Sequence, residues 1–179
     1  ILEDNVIGPF RQRFTTDTFP KVAAKNIAAL AVKRALRKGT KDDEELQHAE
    51  LEFIEHGEML FSFDSGTGPA LKQMRNKLLM AGAGSMNLEM DEIGSNFTGN
   101  QELLNSYLEL FDTGRIKPKL VKNTRENIRS EDLIGVTPCN MMLFGTPTKL
   151  LNGGKEEELF YSMQETGFAR RCFFGYSRF

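Results

Sequence analysis

Met86-Asn87-Leu88-Glu89-Met90-Asp91-Glu92-Ile93-Gly94 alternates apolar and polar residues as far as Met90 and then presents two adjacent carboxylates. Period two is the signature of a strand with one buried face. With Met86, Leu88 and Met90 in a core, Asp91 and Glu92 emerge at the carboxyl edge of a sheet, where open α/β sheets bind ligands. Asp91 is then placed to hold Mg²⁺, directly or through a water, and Glu92 to polarise an attacking water. A solvated acidic turn is the plainer reading of the same two residues.

The segments on either side alternate in type. Before the strand, the apolar run Met59 to Phe63 leads into Asp64-Ser65-Gly66-Thr67-Gly68-Pro69, a glycine and proline turn. Pro69 and the spacing of Leu71, Met74, Leu78 and Leu79 predict a helix to Met80, ended by Gly82-Ala83-Gly84. After the carboxylates, a loop over Ile93 to Asn100 precedes a helix over Gln101 to Phe111 that buries Leu103, Leu104, Tyr107, Leu108 and Phe111. Pro138 opens the most apolar run, Cys139-Asn140-Met141-Met142-Leu143-Phe144, which has the length of a buried strand. A short helix over Lys155 to Glu165 turns Leu159, Phe160 and Met163 inward, and an aromatic strand follows Gly167. Strand, acidic edge and helix thus alternate as in a layered α/β fold.

Toward the amino end the pattern is helical and charged. Gly8-Pro9 and Phe19-Pro20 are expected to break regular structure, leaving an irregular lead-in anchored by Phe10, Phe14 and Phe19. From Lys21 to Lys38, Val22, Ile27, Leu30, Ala31 and Leu36 recur near helical spacing among six basic residues, with Gly39 as the stop. Asp42-Asp43-Glu44-Glu45 opens an acidic helix reaching Glu58. The two form a charged hairpin, so that residues 1–58 are a lead-in and hairpin and residues 59–179 the core of the domain.

Composition narrows the function classes. The 179 residues are 40% hydrophobic and 27% charged, the make-up of a globular protein with one ordinary core. A net charge of -2 and a pI near 5.8 exclude a generally nucleic-acid-coating surface. Basic residues are nevertheless concentrated in Gly114 to Arg129, where Arg115, Lys117, Lys119, Lys122, Arg125 and Arg129 face a single acid, Glu126. Cys139 and Cys172 lie far apart without metal-ligand spacing and read as buried thiols in a reducing compartment. No apolar stretch approaches the roughly 20 residues of a membrane span, and no signal-peptide pattern is present. The chain begins at Ile1 without methionine and stops at Phe179 inside an expected strand, so it is expected to be part of a longer polypeptide.

Two constellations invite chemistry that the remainder of the chain does not supply. Asp64-Ser65-Gly66 and Asp112-Thr113-Gly114 resemble the paired triplets of aspartic proteases, in which each acid ends a strand on its own β-rich lobe. Here the second closes a helix, and helix capping by Asp64 and helix termination by Gly114 explain both. His48 and His56 sit eight residues apart on an acidic helix away from both cysteines, which excludes an ordinary zinc site. A serine-hydrolase elbow is missing, and so is the phosphate loop G-x-x-x-x-G-K-[ST].

The order of parts resembles the carboxyl half of the ATPase core in phage and mobile-element replicative helicases, RecA-like P-loop proteins often joined to primase domains. It is carried by Met90-Asp91-Glu92, a helix with Tyr107, the basic excursion, Leu143-Phe144-Gly145-Thr146-Pro147 and Glu165-Thr166-Gly167-Phe168-Ala169-Arg170-Arg171, over Phe61 to Phe179. The resemblance implies a layered RecA-like sheet with flanking helices, incomplete at the amino end, with the phosphate-binding loop ahead of Ile1. By it Asp91, on the Walker B strand, serves Mg²⁺ and, with Glu92, the bound ATP. Glu92 orients the water and Thr146 senses the γ-phosphate. Arg171, with Arg170 as second choice, is an arginine finger reaching a neighbouring subunit, so a homo-oligomeric ring, possibly a hexamer, is implied. Lys117, Lys119, Lys122, Arg125 and Arg129 are candidates for single-stranded DNA. A primase domain or protein is a further expected partner, and the compartment is cytoplasmic, that of the host for a phage protein. The competing expectation is a catalytically silent DNA-binding or assembly module in which Asp91 and Glu92 are structural.

Overall fold

A computed structural model describes residues 3–91, 101–117 and 133–176. The fold is α/β, mostly helical, with a small two-stranded parallel sheet. Strand β1 (Met86–Met90) pairs with β2 (Cys139–Leu143) in the register Met86↔Cys139 to Met90↔Leu143. Phe63 adds a single parallel bridge to Leu88 on the other side of β1, closed by Phe63 N–H to Asn87 O (3.1 Å) and Glu89 N–H to Phe63 O (2.9 Å). The expected run Met59 to Phe63 is therefore reduced to one laddered residue.

Five α-helices named here supply most of the frame: α1 (Gly8–Arg13), α2 (Phe19–Lys38), α3 (Asp42–Glu55), α4 (Gly68–Ala81) and α5 (Gln101–Thr113). Two more, α6 (Pro147–Leu150) and α7 (Lys155–Met163), follow β2. The alternation in β1 works as expected, with Met86, Leu88 and Met90 buried and Asn87 and Glu89 half-buried. Those methionines and Leu88 join Leu71, Leu78 and Met80 of α4, Tyr107 and Leu110 of α5, and Phe19, Ala23, Ile27 and Ala31 of α2 in one cluster. Residues on both sides of position 58 share it.

The lead-in is helical where a break was expected. Pro9 and Pro20 occupy the first turns of α1 and α2, where a missing N–H costs no helical bond. Ahead of each helix the chain takes a π-turn, Glu3–Ile7 and Phe14–Thr18, and Phe19 N–H reaches back to Phe14 O. Widening the turn absorbs each proline without breaking the helix. Two of the three phenylalanines anchor it: Phe14 packs edge-on against Phe61 at 5.9 Å and beside Phe19, which stacks on Phe53 at 6.2 Å, whereas Phe10 touches the Phe14 and Phe61 rings but is 61% exposed.

In α2 the inward stripe is Phe19, Ala23, Ile27, Ala31 and Ala35, a line at spacing four whose small side chains let α3 approach through Ala49. Leu36, expected inward, is exposed. The hairpin's charges meet across its faces as Arg34 Nη1 to Glu52 Oε2 (2.6 Å) and Lys38 Nζ to Glu45 (3.0 Å). Polar groups of α2 and α4 also close helix ends: Asn26 donates to Ala81 O (2.8 Å) at the end of α4, and Lys77 Nζ to Phe53 O (2.8 Å) near the end of α3. Lys77 also lies over the Phe53 ring at 4.0 Å.

Three further expectations are corrected. Strand β2 is not buried on both faces: Asn140 and Met142 are exposed, because among the described residues only β1 lies beside it and nothing covers that face. Residues 168–174 do not form a strand. Ala169–Arg171 is a 3₁₀ turn and Cys172 onward runs without a ladder partner among the described residues. Phe111, expected inward on α5, is half-exposed, while Leu110 beside it takes the core position. The side chain of Leu103 and the loop expected at Ile93 to Asn100 lie outside the described residues.

Leu88 is central to both the sheet and the main cluster, so Leu88→Ala is expected to cost about 2–5 kcal/mol in urea unfolding. A loss below about 1 kcal/mol, the range of tolerated surface changes, would contradict the packing described.

Candidate functional site

Parallel pairing brings the ends of β1 and β2, and the bridged residue Phe63, to one edge. The ladder continues one residue past β2, with Phe144 N–H donating to Met90 O (2.8 Å), so Asp91 leaves the sheet beside Phe144. Asp91 is exposed. Two residues further, Thr146 is also exposed, extended at ψ 122°, and its carbonyl accepts from Leu150 N–H (3.1 Å) to start α6. On the other side of β1, Phe63 points the same way and hands on to Asp64, Ser65 and Gly66, a loop that feeds the amino end of α4. Asp91, Thr146 and the Asp64 loop thus share the carboxyl edge. Glu92 lies outside the described residues.

The Asp64 loop is a component that sequence reasoning set aside as a turn. Its legible signal was the order apolar run, Gly66-x-Gly68, helix, which places backbone N–H groups of a helix start at a strand end. Thr67, not Asp64, caps α4, accepting from Ala70 N–H at 3.4 Å. Asp64 instead accepts from the Ser65 hydroxyl at 3.1 Å and stays exposed. The shorter reach from Thr67 to the first turn explains the difference.

Asp112 has a different fate. Both its oxygens are held by one guanidinium, Arg171 Nε to Oδ1 (2.6 Å) and Nη2 to Oδ2 (2.5 Å), while Arg171 Nη1 donates to Gly167 O (2.6 Å). This fork geometry is the strong form of an arginine-carboxylate pair. The Arg171 guanidinium beside Asp112 holds its carboxyl below the usual value near 3.8, and the carboxylate in turn raises Arg171. A carboxylate so engaged cannot share a proton with Asp64, which removes the protease arrangement. Gly114 does terminate α5, at φ 63° with its N–H on Leu110 O (2.7 Å), and a β-carbon there would meet Val136 Cβ at 2.8 Å.

The two arginines that sequence could only rank are separated by their surroundings. Arg171 is spent on Asp112 and Gly167, whereas Arg170 is exposed and has no hydrogen bond or ion pair among the described residues. Gly167 makes room for both. Its φ is 86°, and a β-carbon would lie 3.1 Å from Arg171 Nη1 and 3.2 Å from Arg170 Nε.

Of the basic excursion, Lys117 is described: it is highly exposed, its N–H donates to Glu109 Oε2 (3.0 Å), and its Nζ stands 4.0 Å from Glu109 Oε1. Lys119, Lys122, Arg125 and Arg129 lie outside the described residues. Among the described residues there is no cluster of three or more His, Cys, Asp or Glu side chains fit for a metal. Asp91 is a single exposed carboxylate, a donor set that suits a water-rich Mg²⁺ carried on a phosphate rather than a protein cage. His56 is half-buried at the end of α3, 3.9 Å from Glu52, rather than a surface residue. Cys139 is a buried free thiol pushed up to about 12 by burial, which makes it inert, and Cys172 is half-buried. No helix among the described residues is long and apolar enough to cross a membrane.

No protein-family model, curated protein or solved structure matches this chain.

The sign of the Asp112 shift sets a pH test. A carboxyl whose folded value is depressed adds stability above its unfolded value and loses it as pH falls through the folded one. The advantage of the natural chain over Asp112→Asn in thermal unfolding is therefore expected to be constant at neutral pH and to shrink below about pH 3.8. An advantage that persists undiminished at pH 2 would rule out the ion pair as its source.

Proposed function

We propose that this chain is part of the ATPase core of a replicative DNA helicase of the phage and mobile-element type, hydrolysing Mg-ATP at subunit interfaces of a homo-oligomeric ring to move on single-stranded DNA. The observation that carries this is the shared carboxyl edge, at which Asp91, Thr146 and the loop feeding α4 all leave the parallel pairing. It is the edge at which open α/β sheets take nucleotides. A layered RecA-like sheet would extend the pairing seen here by further strands, and the half-exposed face and unpaired side of β2 leave room for one among the described residues.

In this scheme Asp91 would hold Mg²⁺, directly or through a water, and Glu92 would orient the attacking water. Thr146 reports on the terminal phosphate, and the Arg170-Arg171 turn offers a cation to a neighbouring subunit. Bound Mg-ATP supplies the phosphoryl group and the charge neutralisation that this chain's side chains then position. This reading requires a phosphate-binding loop that residues 1–179 do not contain. Lys117 and the basic residues after it track the DNA backbone, with a primase domain or protein as a plausible companion in the same assembly.

One observation favours a second reading, a non-catalytic DNA-binding or assembly module of a replication protein. Arg171, the first candidate for the finger, is fully engaged within its own chain.

Steady-state Mg-ATP hydrolysis by the protein, with and without single-stranded DNA, separates the two. The ATPase reading predicts DNA-stimulated turnover and a loss of at least about 100-fold in Glu92→Gln with ATP binding kept. Absence of turnover in the natural protein, or turnover indifferent to Glu92→Gln, would favour the silent module.

A further inference from the structure

Two arginines distant in sequence flank one stretch of backbone just ahead of β2. Arg75, in the middle of α4, donates through Nη2 to Gly135 O at 3.1 Å. Helix α4 lies directly on that residue, since a β-carbon at Gly135 would stand 2.8 Å from Leu79 Cδ2. From the other side comes the end of α5: Gly114 O accepts from Thr137 N–H at 2.8 Å, and Gly114 presses on Val136. Arg115 follows at once, its backbone N–H and O both bonded to the Thr113 hydroxyl (3.2 and 3.3 Å). Arg75 and Arg115 thus stand on either side of residues 135–137. This is the amino end of the sheet, where Met86 N–H meets Pro138 O, opposite the edge at which Asp91 and Thr146 emerge.

Neither cation is balanced by an anion. Arg75 and Arg115 form no ion pair among the described residues, and the carboxylates toward the end of α5 are taken. Glu109 receives Lys117 N–H at 3.0 Å with Lys117 Nζ at 4.0 Å, and Asp112 is held by Arg171. Helix α4 contains no acid, and Lys72, exposed one turn before Arg75, adds a third cation without an ion pair among the described residues. Arg75 is half-buried, and its Nε has no hydrogen-bond partner among the described residues. Burial, and then the charge of Arg115 beside it, pull the Arg75 guanidinium below its ordinary value. A buried N–H left unpaired and like charges held side by side both cost stability.

An anion with several oxygens relieves both costs together. A carboxylate is used up by one guanidinium fork, as Asp112 is by Arg171. A phosphate group has oxygens enough for two forks arriving from different elements, and the planar guanidinium is the cation best matched to it. We propose that Arg75 and Arg115, with Lys72 at the rim, form a binding site for a phosphate group at the amino end of the sheet. The group is borne by a nucleic-acid strand or is a free phosphate, two sources of the same chemistry. The site is separate from the carboxyl edge and does not rest on the ATPase reading. Sequence groups Arg115 with the basic excursion but gives no sign of Arg75, which the fold brings to it from another helix.

Two measurements on the protein test this, each repeated on Arg75→Gln, Arg115→Ala and, as a control for lost charge, Lys33→Ala, an exposed cation of α2. The first is the rise in Tm produced by inorganic phosphate over chloride at equal ionic strength. Phosphate stabilises proteins generally, so the readout is the part of the rise that a variant loses. The second is the anisotropy of a fluorescein-labelled oligodeoxythymidylate titrated with protein across a salt series. For a free phosphate, part of the Tm rise is expected to be lost in Arg75→Gln and Arg115→Ala and kept in Lys33→Ala. For a nucleic-acid strand, each arginine variant is expected to weaken oligonucleotide binding and to lower the slope of log Kd against log salt by about one, with Lys33→Ala unchanged. Either result supports the site and identifies its source. Variants indistinguishable from the natural protein in both assays, or losses as large in Lys33→Ala as in the arginine variants, would overturn it. If Arg75→Gln does not fold without its bond to Gly135 O, Arg115→Ala, whose side chain is exposed, decides alone.

Discussion

Parallel pairing between Met86–Met90 and Cys139–Leu143 is the constraint from which the other features follow. Parallel strands cannot be joined by a tight turn, so the chain between them must leave the sheet and return, and α5 lies on that excursion. Because both strands run the same way, their carboxyl ends meet, and Phe144 N–H to Met90 O locks that edge at 2.8 Å. A slip of one residue would move Met86, Leu88 and Met90 out of the core and Asn87 and Glu89 into it. Burial of those three side chains thus fixes both the register and the place where Asp91 emerges.

Around that pair the helices act as clamps on one another's ends. The alanine line of α2 brings α3 close, Asn26 closes the carboxyl end of α4, and Lys77 of α4 closes that of α3. On the less covered face of the sheet, Arg11 of α1 reaches Glu89 at 3.1 Å and Asn87 donates to Phe61 O at 2.7 Å. These polar ties cross between segments distant in sequence. They hold the strand ends in place without covering the carboxyl edge, where Asp91, Asp64 and Thr146 remain exposed.

Much of this was legible in the sequence because it rests on period. The alternation at Met86–Met90 and the helical spacing of Leu71, Leu78, Leu104 and Tyr107 report burial directly, and all of these residues are buried. Where reading failed, the deciding contact was distant or small. Alanines are weak signals, so Ala23 and Ala35 were overlooked while the exposed Leu36 was read as inward. Pro9 and Pro20 signal a break only if the turn before them is an ordinary one, and π-turns remove the conflict. The aromatic run after Gly167 has strand composition, but a strand also needs a neighbour. At the site, Asp91 and Thr146 followed from strand ends, whereas the pairing of Asp112 with Arg171 has no local signature across 59 positions. Glu92 and the residues from Lys119 to Arg129 lie outside the described residues, so their roles rest on sequence reasoning.

We propose that Mg-nucleotide binds at the carboxyl edge of the parallel pair. Amide hydrogen exchange on the protein, with and without a non-hydrolysable Mg-ATP analogue, tests it most directly. Slowed exchange centred on peptides containing Asp91 and Phe144 to Thr146, and abolished by Asp91→Asn, is the predicted result. Protection confined to other surfaces, or none at saturating analogue, would contradict the account.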